Sequence, residues 1–344
     1  MSRYLLLPLI PLAIVAVLAS GVAPVRAHSP VTEPSAPPEP FPQWLEQLKA
    51  DALKKGISPA TLDDALTDVE LIPRVIELDR KQPEFSMTFR QYLSGVGSDE
   101  RIARGKRGLA KHRALLDSVS AQYGVPPQFI VALWGVETDF GRLTGGFKVI
   151  PALVTLAHDG RRGSYFRTEL FNALKIIDQG HIAADEMMGS WAGAMGQCQF
   201  MPSSFLRAAV DNNGDGRKDI WTTQADVFAS AANLLRANGW VTGRTWGRPV
   251  KLPDSFDSGM VGHKVRKSLA EWQRLGVRRS DGRDLPRVDI QASVITPEGG
   301  GGAAFIVYEN FRAILKWNRS DFFALTVGYL ADRISGKNTV MIPQ

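Results

Sequence analysis

Cysteine is nearly absent from this chain. Of 344 residues only Cys198 is one. A lone thiol excludes an internal disulfide and any cysteine-based metal cluster, so the fold must be held by its apolar core. Long apolar runs are also scarce. The one that approaches membrane length is Tyr4 to Leu18, behind Arg3, and Pro8, Pro11 and Gly21 interrupt it. Val25-Arg26-Ala27 follows as a small-residue cleavage site, and this order of parts predicts a secretory signal peptide over 1–27. A retained membrane anchor is the other reading, since the run is only slightly short for a span. No cysteine follows it, so lipid attachment there has no chemical handle. Basic runs with interleaved aromatics are lacking too, which argues against a nucleic-acid partner.

The chain carries 41 basic and 35 acidic residues, a formal charge of +6. Removing 1–27 takes away Arg3 and Arg26 and no acid, which lowers +6 to +4. That mild excess suits a substrate bearing carboxylates. The remaining length, about 300 residues, buries enough apolar surface for one large domain or two.

Residues 28–42 are rich in Pro, Ser and Glu and read as an extended tether. Helical spacing begins at Trp44, with Leu45, Leu48, Ala52 and Leu53 on one face, and helix-favouring sequence continues to Leu115. Gly124 and Pro126-Pro127 punctuate it, and a nearly all-apolar helix is predicted from Gln128 to about Thr138. Further helices are expected at 165–177, 202–210 and 225–238, the last stopped by Gly239. Composition then shifts towards Gly, Pro, Arg and Asp. Val288, Ile290, Ala292 and Val294 alternate, as do Phe305 and Val307 beyond a Gly-rich turn, the pattern of a β-hairpin. Asn310 is expected to cap a closing helix pair. No internal repeat is visible. The class is mainly α with a small β region.

Phe129, Ile130, Leu133, Trp134 and Glu137 fall on one face of the apolar helix. A carboxylate at the end of such a face is costly to ionise, and the negative end of the helix pushes the same way. Both raise its pKa, as a general acid working near neutrality requires. The plain alternative is a helix-end acid pointing to solvent. Asp139 faces elsewhere and reads as solvated or capping. Downstream, Asp211 to Asp219 follow the opening of an EF-hand loop. Asp211, Asn213 and Asp215 would supply side-chain oxygens, Gly216 the sharp turn and Arg217 a backbone carbonyl. The twelfth position is Thr222 rather than Glu, so a standard loop fails there, and an Asx-rich turn without an ion is the alternative.

The stretch VALWGVETDFGRLTGGFKVIPALVTLA, then GSWAGAMGQCQFMPSSFLRAAVDNNGDGRKDIW, ANLLRANGW and NFRAILKWNRSDFFALTVGYLADRI, resembles the lytic murein transglycosylases of the B type. The likeness covers nearly all of the chain after its N-terminal segment. It implies a lysozyme-like core over about 124–239 and 310–335, with the calcium-like loop at 211–226. A helical part at about 43–123 and a small β part at about 240–309 would complete a catalytic region of 43–344. It implies a periplasmic enzyme that cuts the β-1,4 bond between N-acetylmuramic acid and N-acetylglucosamine, leaving 1,6-anhydromuramyl ends, with Glu137 as the single acid/base. A hydrolytic muramidase on the same site and a non-catalytic peptidoglycan-binding protein are the alternatives. Ordinary glycosidases need a second carboxylate, for which Asp159 and Asp185 are the residues to check.

The same resemblance assigns sugar contacts to Ser190 and Gln199, each with an ordinary alternative, a turn or cap for the first and a surface amide for the second. Gly193, Ala194 and Gly196 between them would let backbone approach ligand closely. Asn318 matches an asparagine facing the catalytic Glu, and Trp317 stands where the family often has tyrosine, keeping an aromatic surface but losing the hydroxyl. Tyr165 matches a sugar-contacting tyrosine, and Arg161 and Arg162 are candidates for peptide or lactyl carboxylates. Tyr92 reads equally as a cleft residue or a core tyrosine. Leu234 stands where some members carry tyrosine. Asp226 would close the calcium-like loop. No cofactor is implied for catalysis, only a structural Ca²⁺ or Na⁺. The implied partners are peptidoglycan glycan strands and the cell-wall synthesis machinery, with no nucleic acid and no membrane anchor after signal cleavage.

Overall fold

The computed structural model describes residues 39–81, 87–299, 302–339 and 341. The signal peptide expected at 1–27 and most of the tether at 28–42 lie outside them. The helical start comes earlier than the apolar spacing predicts, because Pro40 and Pro42 suit a helix N-terminus, where the missing N–H is no loss.

In chain order the first elements are α1 (Phe41–Lys54), α2 (Pro59–Leu66), α3 (Pro73–Arg80), α4 (Phe89–Val96), α5 (Asp99–Lys111), α6 (Arg113–Tyr123) and α7 (Pro127–Thr138). Then come β1 (Phe147–Lys148), α8 (Val149–Asp159), α9 (Gly163–Asp178), β2 (Met188–Gly189), α10 (Pro202–Ala208) and α11 (Gln224–Ala237). The remainder is β3 (Gly247–Lys251), β4 (Lys267–Ser268), α12 (Leu269–Arg274), β5 (Arg278–Arg279), β6 (Gln291–Ile295), β7 (Ala304–Val307), α13 (Glu309–Trp317) and α14 (Asp321–Ile334). The class is mainly α with a small β region, as the patterning predicts.

The chain divides into two compact units. The first holds the described residues up to Lys81, Leu143–Arg207 and Gly214–Thr222. In it α9 packs on α8 and α2, and α3 on α8. Ser58 caps α2 by accepting from the Thr61 amide, and its hydroxyl also donates to Asp178 at the end of α9 (2.6 Å). Strands β1 and β2 pair antiparallel, Phe147 opposite Gly189.

The second unit holds the described residues of Pro83–Arg142, Ala208–Asn213 and the chain from Thr223 on. Helix α7 is its axis, packed against α14, α5, α6 and α11. The residues Phe129 to Trp134 are all buried, so the helix is apolar all round because it is surrounded. Gly135 makes close packing possible, since a Cβ there would lie 2.7 Å from the Phe140 ring. The antiparallel sheet runs β4-β6-β7-β3-β5. Ala292, Val294, Ala304 and Ile306 pack on Trp272 of α12, while Phe305 on the opposite face meets Phe89 of α4, 6.0 Å between rings. Both faces of β6 and β7 are therefore covered, which explains why every residue of β7 is buried.

Two local expectations fail. Val288 and Ile290 precede the strand, which starts at Gln291, and Val288 is 45 % exposed. Asn310 does not cap α13, whose N-cap is Tyr308. It is wholly buried inside the first turn, where its side chain accepts from the Val241 amide (2.7 Å) and donates to the carbonyls of Val241 and Arg244. A buried amide that satisfies a neighbouring loop outweighs its preference for the cap.

Candidate active site

Glu137 stands in the last turn of α7, in the second unit. Its residue retains some solvent access, but protein encloses the carboxyl, and burial pushes its pKa from the ordinary 4.5 up to about 8. A hydrogen bond opposes this: the Trp317 indole Nε1 donates to Glu137 Oε1 at 2.7 Å, which favours the charged form. Trp317 lacks the hydroxyl of the tyrosine it replaces. The indole N–H supplies a donor in its place. Asn318, the C-cap of α13, is 4 % exposed, and its Oδ1 accepts from the Ser320 amide at 3.2 Å.

The backbone beyond Glu137 takes an unusual path. Asp139, Phe140 and Gly141 all have positive φ, +50°, +62° and +80°. Such a turn is strained for a bulky residue and persists only where its surroundings over-determine it. Phe140 sits edge-on to Trp134, 5.4 Å between rings. Asp139 is 3 % exposed and pairs with Arg104 (2.9 Å), Arg101 (3.4 Å) and Arg142 (2.5 Å). Burial opposes its ionisation, but the Arg142 hydrogen bond and the charges of Arg101 and Arg104 outweigh it and hold its pKa below the carboxylate range. Of the two expectations for Asp139, the capping one holds, since Asp139 is the C-cap of α7, and the solvated one is corrected. No helical period brings Arg101 and Arg104 to Asp139, so sequence spacing carried no signal of the cluster.

Tyr92, in the same unit, is a core residue at 6 % exposure, its ring 5.8 Å from Phe322. Leu234 is likewise buried.

In the first unit, the segment from Ser190 to Phe200 is a tight loop closed by the Met195 and Phe200 backbone. Ser190 is 5 % exposed, and its Oγ accepts from the amides of Ala192 and Ala194, the role of a turn-forming serine, which leaves its proton to donate. Gln199 has a φ of +48°, and its Nε2 donates to the carbonyls of Thr144 (3.0 Å) and Gly196 (2.9 Å). Its Oε1 remains as an acceptor. Gly193 and Gly196 also have positive φ, and a Cβ would lie 2.5 Å from Leu153 and 2.6 Å from the Ile220 carbonyl. The protein's own packing demands these glycines, whereas the sequence reading gave them to ligand approach.

Arg161 and Arg162 are engaged by Asp79, which is 2 % exposed. Arg161 Nε donates to Asp79 Oδ2 (2.7 Å) and its Nη2 to the Asp79 carbonyl, and Arg162 pairs with the other oxygen. Both forks thus tie α3 to the start of α9, and a substrate carboxylate would compete with a buried one. Tyr165 is 37 % exposed, and burial of its hydroxyl side, with the charge of Glu169, raises its pKa to about 12. Asp159 pairs with Arg80 (2.8 Å), and Asp185 is exposed.

Around the calcium-like loop, Gly214 and Gly216 have φ of +78° and +90°, and Asp215 Oδ1 accepts from the Arg217 amide. Asp226 is wholly buried and accepts from the Asn212 amide at 2.8 Å. Carboxylate, amide and carbonyl oxygens are the donor chemistry that a hard cation takes. Among the described residues no group of three His, Cys, Asp or Glu is gathered to hold a metal.

The transglycosylase SLT domain family matches this chain over residues 40–332. Membrane-bound lytic murein transglycosylase B of Escherichia coli is 29 % identical over 298 residues, 82 % of this chain and 80 % of that protein. SltB3 of Pseudomonas aeruginosa, solved in complex with NAG-anhNAM-pentapeptide, is 43 % identical with a TM-score of 0.85, covering 88 % of this chain and 82 % of that one. The Escherichia coli lytic transglycosylase Slt35, solved in complex with calcium, is 28 % identical with a TM-score of 0.73 over 86 % of this chain and 93 % of that one. The chain belongs to the lytic murein transglycosylase B family. It is a lytic transglycosylase with the lysozyme-like fold of that class.

Proposed function

We propose that the chain cleaves the β-1,4 bond between N-acetylmuramic acid and N-acetylglucosamine with Glu137 as its single acid/base. The observation that carries this reading is the enclosed Glu137 carboxyl, protonated at neutral pH and held by one indole N–H. Glu137 gives its proton to the glycosidic oxygen as the bond to the muramyl anomeric carbon breaks. The resulting carboxylate then takes the proton of the muramyl C6 hydroxyl as that oxygen attacks the same carbon. A 1,6-anhydro ring closes, Glu137 regains its proton and no water is consumed. An intramolecular hydroxyl removes the need for the second carboxylate of ordinary glycosidases. The complex of SltB3 with an anhydromuramyl ligand supports this product.

Ser190, Gln199, Tyr165 and Asn318 serve as polar and aromatic contacts to the sugars in this reading. A structural Ca²⁺ on the Asp211–Asp226 loop would be held by side-chain oxygens of Asp211, Asn213, Asp215 and Asp226 and by the Arg217 carbonyl. The ion would fix the loop and take no part in proton transfer. The chain acts in the periplasm after loss of a signal peptide.

Mass spectrometry of sacculi digested by wild type and Glu137→Gln tests the chemistry. Anhydro ends from wild type and none from the variant are expected. Reducing ends would assign a hydrolase, and digestion by Glu137→Gln at the wild-type rate would remove Glu137 from the reaction. For the loop, Ca²⁺ should raise the Tm of wild type by several degrees and leave Asp215→Ala unmoved.

A further inference from the structure

One face of α9 carries Ser164, Arg167, Phe171, Asn172 and Lys175, at spacings of 3, 7, 8 and 11 from the first. With Lys55, from the turn after α1, they line a hollow of about 360 Å³ in the first unit. Its apolar wall is the Phe171 ring. Lys55 Nζ lies 5.1 Å from that ring's centroid and the Arg167 guanidinium 5.4 Å. Arg167 also lies over Trp44 and donates to Asp51 at 2.9 Å. Lys55 and Lys175 have no carboxylate partner among the described residues, and no acid lines the hollow. A ring face attracts a cation without neutralising it. Two positive groups are thus held about one ring and a third, Lys175, lines the same hollow, with Asp51 paired to Arg167 alone among them.

We propose that this hollow binds a carboxylate of the peptide stem on a peptidoglycan strand. The inference rests on the glycan-cleaving function proposed above. The Ser164 hydroxyl and the Asn172 amide supply neutral donors beside the cations, and Phe171 takes the aliphatic part of a peptide, so the lining suits an anion on a partly apolar chain better than a bare sugar. Reach agrees. Tyr165, the proposed sugar contact, lies ten residues before Lys175 on the same helix, about 15 Å at 1.5 Å per residue. A five-residue peptide extended at about 3.4 Å per residue spans roughly 17 Å. A stem branching from a sugar at Tyr165 therefore reaches the hollow.

Calorimetric titration of the full chain tests this, with Glu137→Gln as the background so that no ligand turns over. The probes are the NAG-NAM disaccharide bearing a pentapeptide, the same disaccharide without peptide, and the pentapeptide form with its carboxyls amidated. Adding Lys55→Ala and Lys175→Ala should weaken the pentapeptide ligand about five- to tenfold and leave the peptide-free disaccharide unchanged. The amidated ligand should bind the parent as weakly as the acid binds the variant. Lys251→Ala with Lys264→Ala, the same loss of charge in the second unit, should change nothing. Equal binding of the pentapeptide by parent and variant overturns the proposal, as does an equal loss on the peptide-free disaccharide. Capture of anionic-lipid vesicles through Lys55 and Lys175, without discrimination among the peptides, would assign the hollow to a lipid surface instead. Failure of the glycan-cleaving reading would register separately, as sacculus digestion by Glu137→Gln.

Discussion

Two carboxylates stand two residues apart at the end of α7 and meet opposite fates. Glu137 is enclosed with the neutral Trp317 indole as its donor, and its pKa rises to about 8. Asp139 is also buried, yet Arg101, Arg104 and Arg142 hold it ionised. Burial alone therefore does not decide protonation. The charge of the neighbours does: among the described residues three guanidinium groups pair with Asp139, whereas the Glu137 carboxyl meets a neutral indole. The consequence is a division of labour. Asp139 anchors the left-handed turn that ends the helix, and Glu137, two residues earlier, keeps a proton to give.

The largest effect expected from breaking this contrast is on activity. Glu137→Gln keeps size and hydrogen bonding but has no acid proton, and general acid–base catalysis contributes roughly 10²–10⁴-fold. Digestion of purified sacculi should fall at least that far. The same variant should be more stable. A raised folded pKa means that the unfolded chain ionises above about 4.5 while the folded chain does not until about 8. Wild type therefore loses stability as pH climbs between those values, and above them the cost is constant. At about 1.4 kcal/mol per pK unit, Glu137→Gln should gain on the order of a few kcal/mol at neutral pH and nothing at pH 4. Denaturant melts at both pH values check it. Equal stability at neutral pH would show that Glu137 is not enclosed.

Asp139→Asn should act in the opposite direction. Removing one partner of a buried ion pair typically costs 3–5 kcal/mol. Arg142 is 61 % exposed and can be re-solvated, so about 2–4 kcal/mol is expected here. The pKa of Asp139 is depressed, so its contribution is complete above the ordinary 3.8 and is lost as pH falls below that. The gap between wild type and variant should close in acid. A gap that persists at pH 2 would assign the loss to packing rather than charge.

The helices and the hairpin were legible because their signals are periodic. The apolar run of α7 repeats over several residues and is buried from Phe129 to Trp134, while the alternation ending at Val294 located the strand but not its start, since Val288 and Ile290 precede it. Glu137 was legible as a residue on such a face, and the family motifs supplied its substrate. What could not be read depends on tertiary neighbours. Asp139 looked like any helix-end acid, since its arginines sit on α5, some 38 residues away for Arg101. Arg161 and Arg162 read as cations available to a ligand because Asp79, which holds them, stands 82 and 83 residues earlier. Trp317 was legible as an aromatic replacing a tyrosine, but that its N–H would point at Glu137 was not, because a ring's orientation follows from packing and not from its letter.

That indole gives the smallest and most discriminating test. The Trp317 N–H favours the ionised form of Glu137, so removing it should raise an already high pKa. A neutral donor to a charged acceptor is worth roughly 1.5–3 kcal/mol, about one to two pK units. Trp317→Phe should therefore move the alkaline limb of kcat/KM upward from about pH 8, with activity at neutral pH reduced about tenfold because an acid that holds its proton more tightly gives it up less readily. Trp317→Tyr keeps a ring and restores a donor, so its limb should lie closer to that of wild type. If the phenylalanine and tyrosine variants share one pH profile, Trp317 acts by packing alone. The contrast between Glu137 and Asp139 would then rest on charge at one residue and enclosure at the other, with no tuning hydrogen bond between them.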